Sequence, residues 1–175
     1  MTDRTPTPEQ WLAAEDEGTR EFRAQRLSWL LTATPKNPIW LFHGGWLAQH
    51  LFEEARYSFV YGQFIASAVL GFAFVERTLA AMFYAAGRND LKRATSERLF
   101  QEALRVGWLT SEEIERFEDA RKLRNPLVHF RTPMHEDLPE WRSFHQDKEP
   151  YEVIEHDAKQ ILQVVFRLVQ RNAAA

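Results

Sequence analysis

The chain has 175 residues, of which 45% are hydrophobic, and its formal net charge is -3. A chain of this length buries about 70% of the surface that it exposes when unfolded, and it fits one domain with one core. The net negative charge argues against a protein that coats nucleic acid or anionic membranes through its overall field, so any phosphate-binding surface has to be local. The lack of cysteine excludes disulfides, thiolate nucleophiles and cysteine-ligated metal centres.

The first predicted element is a long N-terminal helix. Thr7 is a suitable N-cap, Pro8 suits the first helical position, and the Gln10 side chain can reach back to the cap. We therefore expect a helix from Pro8 to about Leu31, with Gly18 as a candidate break.

A turn and an aromatic stretch follow this helix. Residues 34–38 contain two prolines and predict a turn, and residues 40–46 combine aromatic side chains with a Gly-Gly interruption. We expect residues 1–56 to form a helical extension that packs on the remaining domain. The polar residues 1–9 contain no basic region followed by an apolar core, so they indicate no secretory signal and favour a cytoplasmic protein.

The most apolar part of the chain predicts one long central helix. Apolar residues recur at helical spacing from about Leu47, and the helix is expected to cover residues 57–86 and to end at Gly87. Residues 57–75 carry no formal charge and are about as long as a bilayer-spanning helix of roughly 20 residues. A central helix in a soluble bundle is equally apolar because other helices surround it. We therefore expect no membrane association, which a detergent-free soluble preparation would test.

Three more helices and a loop complete the predicted fold. The first of these helices is expected to begin at Thr95 or Ser96 and to end at Gly107. The capping box of Thr110 and Glu113 is expected to begin the second. Residues 131–150 contain three prolines and predict a polar loop, after which the helical spacing resumes. Since no run alternates between apolar and polar residues, we expect an all-α fold: an up-and-down four-helix bundle over residues 57–172 with the N-terminal extension.

Three residues near the end of the third predicted bundle helix have the spacing Arg124-Asn125-x-x-x-His129. This spacing resembles the Arg-Asn-x-x-x-His motif of the HEPN superfamily, small helical proteins that include many prokaryotic ribonuclease toxins, and the resemblance implies cleavage of RNA. Cleavage of RNA without a metal moves a proton off the 2′-hydroxyl, stabilises a charged phosphorane, and protonates the leaving 5′-oxygen, which produces a 2′,3′-cyclic phosphate. His129 suits the proton transfers because histidine ordinarily titrates near pH 6.5. Arg124 suits the phosphorane because its planar, permanently charged group fits phosphate oxygens. Asn125 would orient either the histidine or the phosphate.

The resemblance implies the same helix order, an RNA substrate, and a homodimer in which two copies of the motif face one groove. It also implies a toxin or defence effector, with an antitoxin protein as a further partner. In toxins of this superfamily that are silenced by adenylylation, a tyrosine commonly follows the histidine by two residues. That position is Arg131 here, so silencing by this route is not expected.

Helix geometry places a condition on this motif. On an ideal straight helix, Arg124 and His129 point roughly 140° apart, whereas Asn125 and His129 share a face. Pro126 removes a backbone donor and clashes with the preceding turn, so a kink or break is expected beside the motif. A bent helix end would allow both side chains to reach the same groove.

Further charged residues accompany the motif. Arg121, Lys122 and Arg131 concentrate positive charge on an acidic chain, and we expect them to bind substrate phosphates. No histidine pair has the close spacing of a metal site, so we expect neither a metal nor a cofactor.

Glu76 is a candidate supporting residue, because a carboxylate within the long apolar helix is costly unless it is paired. Its partner could be Arg124 or His129. Pairing with Arg77, or a position facing solvent, would also explain it.

Two other interpretations use the same residues. Asn125 and Pro126 can also be the cap and first-turn proline of a new helix, which would make Arg124 an ion-pairing residue and His129 a half-buried histidine. The chain would then be a non-catalytic module that binds RNA, a nucleotide or a protein partner through the same groove, or a structural bundle without a ligand.

Overall fold

The computed structural model describes residues 6–36 and 40–172. Within these residues the regular elements are seven α-helices and one 3-10 helix, Asn89–Leu91, which confirms the all-α fold class. The α-helices are α1 Pro8–Ala33, α2 Gly45–Val60, α3 Phe64–Ala85, α4 Ser96–Arg105, α5 Ser111–Val128, α6 Pro139–Gln146 and α7 Pro150–Arg171. The predicted turn at residues 34–38 and the polar residues 1–9 lie partly outside the described residues.

Short-range hydrogen bonds define the predicted helix starts. The Gln10 amide donates to the Thr7 hydroxyl at 3.3 Å, and the Thr7 amide donates to the Gln10 side chain at 3.0 Å. The same reciprocal pair joins Thr110 and Glu113 at the start of α5. Both predicted capping boxes are therefore confirmed, whereas the candidate break at Gly18 is absent because α1 continues through it.

The prediction of one long helix over residues 57–86 was wrong, since this stretch contains the end of α2 and the whole of α3. Gly62 stands between them with a φ of +76°, a conformation that glycine adopts without steric cost. Its amide bonds to the Phe59 carbonyl at 3.1 Å, and the Gln63 amide bonds to the Ser58 carbonyl at 2.8 Å. These two bonds form a Schellman motif, which ends α2.

Two more helices end at glycines, and the later part of the chain contains a helix that was not predicted. Gly87 and Gly107 end α3 and α4 with φ values of +81° and +75°, as predicted. The expectation that residues 131–150 form only a loop was wrong, because they contain α6. Pro139 occupies the first turn of that helix.

Helix α3 lies at the centre of the core. It contacts α2, α4, α5 and α7, and ten of its residues are buried. By length and composition it could cross a membrane, but half of that apolar stretch is buried against the rest of the chain. Residue 56, where the N-terminal extension was expected to end, lies inside α2, and α2 contributes Phe52, Ala55 and Phe59 to the same core. Leu30 is the buried residue of α1.

Two groups of ion pairs tie the later helices together. Glu113 of α5, with 5% of its side chain exposed, accepts hydrogen bonds from Arg167 and Arg171 of α7. Asp157 of α7, with 1% of its side chain exposed, accepts bonds from both terminal nitrogens of Arg142 in α6. Removing one partner of such a pair is expected to destabilise the fold strongly, because the other charge then stays buried without a countercharge.

Glu113 makes the stability of the fold depend on pH. Desolvation alone would raise the pKa of this carboxyl, but hydrogen bonds from Arg171, the Thr110 amide and Arg167 outweigh it and lower the pKa to about 2. Since the ordinary value is 4.5, the charged form stabilises the fold at neutral pH, and this contribution is lost as the pH falls toward 2. We expect Glu113→Gln to lower the free energy of unfolding by about 3 kcal/mol at pH 7 and by roughly half of that at pH 3.

Urea unfolding at the two pH values measures this effect. Glu112→Gln is the matched control, because Glu112 is 75% exposed and pairs with Arg116 on the same helix. Its expected effect is below about 1 kcal/mol. An equal loss of stability for Glu113→Gln at both pH values would contradict the role of the ionised carboxylate.

Candidate functional site

The motif residues lie at the C-terminal end of α5. The helix continues through Pro126 to Val128, and His129 is its C-cap, with extended backbone angles of φ -120° and ψ 131°. The His129 amide donates to the Asn125 carbonyl at 2.9 Å, so this turn closes although Pro126 has removed the bond to the Lys122 carbonyl. The helix therefore neither breaks at Pro126 nor starts anew at Asn125; it ends two residues after the proline.

Arg124 is held in place from three sides. One terminal nitrogen lies 2.8 Å from the Glu76 carboxylate of α3, and the other lies 3.4 Å from the Asn125 side-chain oxygen. Its guanidinium carbon stands 4.5 Å from the ring centroid of Phe72, within the range of a cation–π contact. The Arg124 side chain is 15% exposed. Of the partners considered for Glu76, the structure pairs it with Arg124.

The structure brings Arg124 and Asn125 into direct side-chain contact and places His129 one turn later. Asn125 is half-buried and accepts the bond from Arg124, so its amide orients the arginine. His129 is exposed, and its fixed contact is the backbone bond to Asn125. The site thus combines a positioned cation with a solvent-accessible imidazole at an open helix end.

The three cations predicted to bind phosphates are all paired with carboxylates. The pairs are Arg121 with Glu118 at 2.7 Å, Lys122 with Asp119 at 3.0 Å, and Arg131 with Asp137 at 3.5 Å. Two of them have the i,i+3 spacing of neighbours on a helix, a signal in the sequence that could have identified them. The positive charge around the motif is therefore matched by acidic side chains within the monomer.

A cleft of about 590 Å³ adjoins the ion pair of Glu76 and was not anticipated from the sequence. Its lining includes Glu76, Arg77 and Tyr84 of α3, Gly44 before α2, and Lys92 after the 3-10 helix. Neither Arg77 nor Lys92 forms an ion pair with a residue in the described part of the chain. This cleft consequently carries cations that are available to a ligand.

Other histidines contact their immediate neighbours. Nδ1 of His135 lies 3.7 Å from the Asp137 carboxylate, and the His145 ring stacks on Trp141 with the centroids 3.6 Å apart. Among residues 6–36 and 40–172, no three histidine, aspartate or glutamate side chains are grouped so that they could hold a metal ion.

No protein-family model, curated protein or solved structure matches the chain.

Proposed function

We propose that this chain is a metal-independent endoribonuclease of the HEPN type, which cleaves RNA and leaves a 2′,3′-cyclic phosphate. The observation that carries the proposal is the contact between Arg124 and Asn125, one turn before the exposed His129, with Glu76 holding the arginine. This arrangement supplies the charge stabilisation and the proton transfer that the reaction needs without a metal. In the proposed HEPN-like architecture, α3, α4, α5 and α7 are the four bundle helices.

The contacts of Arg124 leave it able to bind a phosphate. A guanidinium has five N–H donors, and Glu76 and Asn125 each accept one hydrogen bond from it. The remaining donors can stabilise the phosphorane, while the ion pair limits the conformations that the side chain adopts. A positioned donor contributes more to the rate than a mobile one, because no reorganisation is needed during the reaction.

We propose that the active form is a homodimer, with the two motifs facing a common groove. Apolar residues flank His129 on the surface: Val128 is 42% exposed and Phe130 is 87% exposed. Exposed apolar side chains beside a polar site suit a protomer interface. In the cytoplasm, such an enzyme would act as a toxin or defence effector, and an antitoxin protein that covers this surface would block it.

A cleavage assay in EDTA tests the proposal. We expect the wild-type protein to cut single-stranded RNA and to leave 2′,3′-cyclic phosphate ends, and we expect Arg124→Ala to lower the rate by about 10²- to 10³-fold. Arg124→Lys keeps the charge without the planar fork and should retain an intermediate rate. Product ends can be identified by their resistance to phosphatase until the cyclic phosphate is opened with acid.

Arg116→Ala is the matched control for this series. Arg116 belongs to the same helix, its side chain is 66% exposed, and its partner is Glu112. We expect it to cleave at the wild-type rate. An Arg124→Ala protein that is folded and equally active would show that Arg124 does not stabilise the reaction's charge.

One observation favours a second function, a non-catalytic module that binds RNA, a nucleotide or a protein partner. Arg124 and the three neighbouring cations are all paired with carboxylates, and such pairs reduce the attraction for phosphates. A wild-type protein that binds RNA in EDTA but never cleaves it would support this function over the nuclease.

A further inference from the structure

We infer that the cleft beside Glu76 is a binding subsite for a nucleotide of the RNA strand, so that the substrate contacts α3 as well as the end of α5. This inference rests on the proposed function and names a part of the substrate path that the motif does not provide. The cleft measures about 590 Å³, within the usual range of small-ligand sites of roughly 300–1,000 Å³.

Charge distinguishes this cleft from the surface around the motif. Glu76 is the one carboxylate among the described residues that line the cleft, and it is already paired with Arg124 at 2.8 Å. Arg77 and Lys92 line the same cleft, and no acidic side chain among the described residues lies within ion-pair distance of either. The cleft therefore keeps positive charge that can neutralise phosphates, whereas the cations beside the motif are compensated.

The backbone positions one of these cations. Nε of Arg77 donates to the Gly44 carbonyl at 3.2 Å, and Gly44 has a φ of +93°. A Cβ atom at Gly44 would stand 3.2 Å from Cγ of Arg77 and 3.3 Å from Cβ of Ala48, so glycine is what permits this close approach. The Nε contact leaves the two terminal nitrogens of Arg77 for a phosphate.

The lining also includes a surface on which a base can stack. Tyr84 is 62% exposed, and an exposed aromatic ring beside a positive groove is the usual arrangement for binding a single strand. Glu76 connects this cleft to the motif because it lines the cleft and holds Arg124. A single strand whose reactive phosphate lies at Arg124 would thus place a neighbouring nucleotide against α3.

The test measures the binding of a fluorescein-labelled single-stranded RNA by fluorescence anisotropy, in EDTA and in a His129→Ala background that prevents cleavage. We expect the double variant Arg77→Gln and Lys92→Gln to raise the Kd about tenfold. The slope of log Kd against log salt should fall by about 1.4, since each phosphate contact on a single strand contributes about 0.7. Tyr84→Ala should raise the Kd at least about fivefold with the salt slope unchanged.

The matched control removes two other cations, Arg20 and Lys36, by the same substitutions. Both are exposed, and neither has an ion-pair partner among the described residues. The control variant should bind RNA within about twofold of the parent. Lys92→Gln alone, which leaves the contact of Arg77 with Gly44 in place, should account for about half of the change in slope.

The outcomes separate the subsite from the proposed function. Equal losses in the cleft variant and the control variant, or no RNA binding by the parent, would overturn the subsite. A wild-type protein that never cleaves RNA would overturn the nuclease. In that case, a selective loss of binding in the cleft variant would still support the subsite.

Discussion

Replacing His129 by alanine is expected to lower the rate of RNA cleavage by about 10²- to 10⁴-fold, because the substitution removes the proposed general acid–base group. The substitution should leave the fold intact. His129 is exposed at the end of α5, and the bond that fixes it is donated by its backbone amide to the Asn125 carbonyl at 2.9 Å. Alanine keeps this bond, so the free energy of unfolding should stay within about 0.5 kcal/mol of the wild-type value.

His156→Ala is the matched control for this variant. His156 is also exposed, lies on α7 and bonds to the neighbouring Gln160 side chain. We expect it to cleave RNA within about twofold of the wild-type rate. If His129→Ala and His156→Ala cleave equally well, the motif histidine takes no part in the reaction and the proposed function fails.

Helix ends were predictable from the sequence because their hydrogen bonds join residues three to five positions apart. The capping boxes at Thr7 and Thr110 and the glycine stops at Gly87 and Gly107 are all of this kind. The break at Gly62 obeys the same rule. It was missed because apolar residues continue at helical spacing from α2 into α3, so periodicity indicates one helix where the backbone makes two.

The candidate site was predictable only in part, because some of the residues that contact each other in it are distant in the sequence. Glu76 and Arg124 are 48 positions apart, and the cost of an unpaired carboxylate in an apolar helix was enough to propose their contact. The acidic partners of the other motif cations stand three positions away on the same helix or in the following loop. The cleft that contains Arg77 and Lys92 was not predicted, since Gly44, Arg77 and Lys92 line the same cleft only in the folded chain.

Replacing Asp157 by alanine is expected to lower the free energy of unfolding by about 3–5 kcal/mol, the largest effect on stability among these variants. Asp157 is completely buried on α7, and its two oxygens accept bonds from both terminal nitrogens of Arg142 on α6. Alanine would leave the guanidinium, with only 19% of its side chain exposed, without a countercharge. Urea unfolding of the full chain measures the loss.

Two variants test whether the unpaired charge causes this loss. Asp119→Ala removes a carboxylate whose side chain is 65% exposed and should cost less than about 1 kcal/mol. The double variant Arg142→Met and Asp157→Leu removes both charges, and its stability should return to within about 1 kcal/mol of the wild-type value. If Asp157→Ala costs no more than Asp119→Ala, the buried pair does not stabilise the fold.

Hydrogen exchange would test whether the ion pair of Arg142 and Asp157 holds α6 on the rest of the fold. Helix α6 has eight residues, of which Pro139 and Ser143 are buried, so apolar burial alone attaches it weakly. Its ion pair with α7 therefore carries much of the attachment, and Asp157→Ala should speed amide exchange in α6 by more than it does in α3. Since α6 belongs to the segment that directly follows His129, loosening it should also lower the proposed RNA cleavage while the core around α3 stays folded.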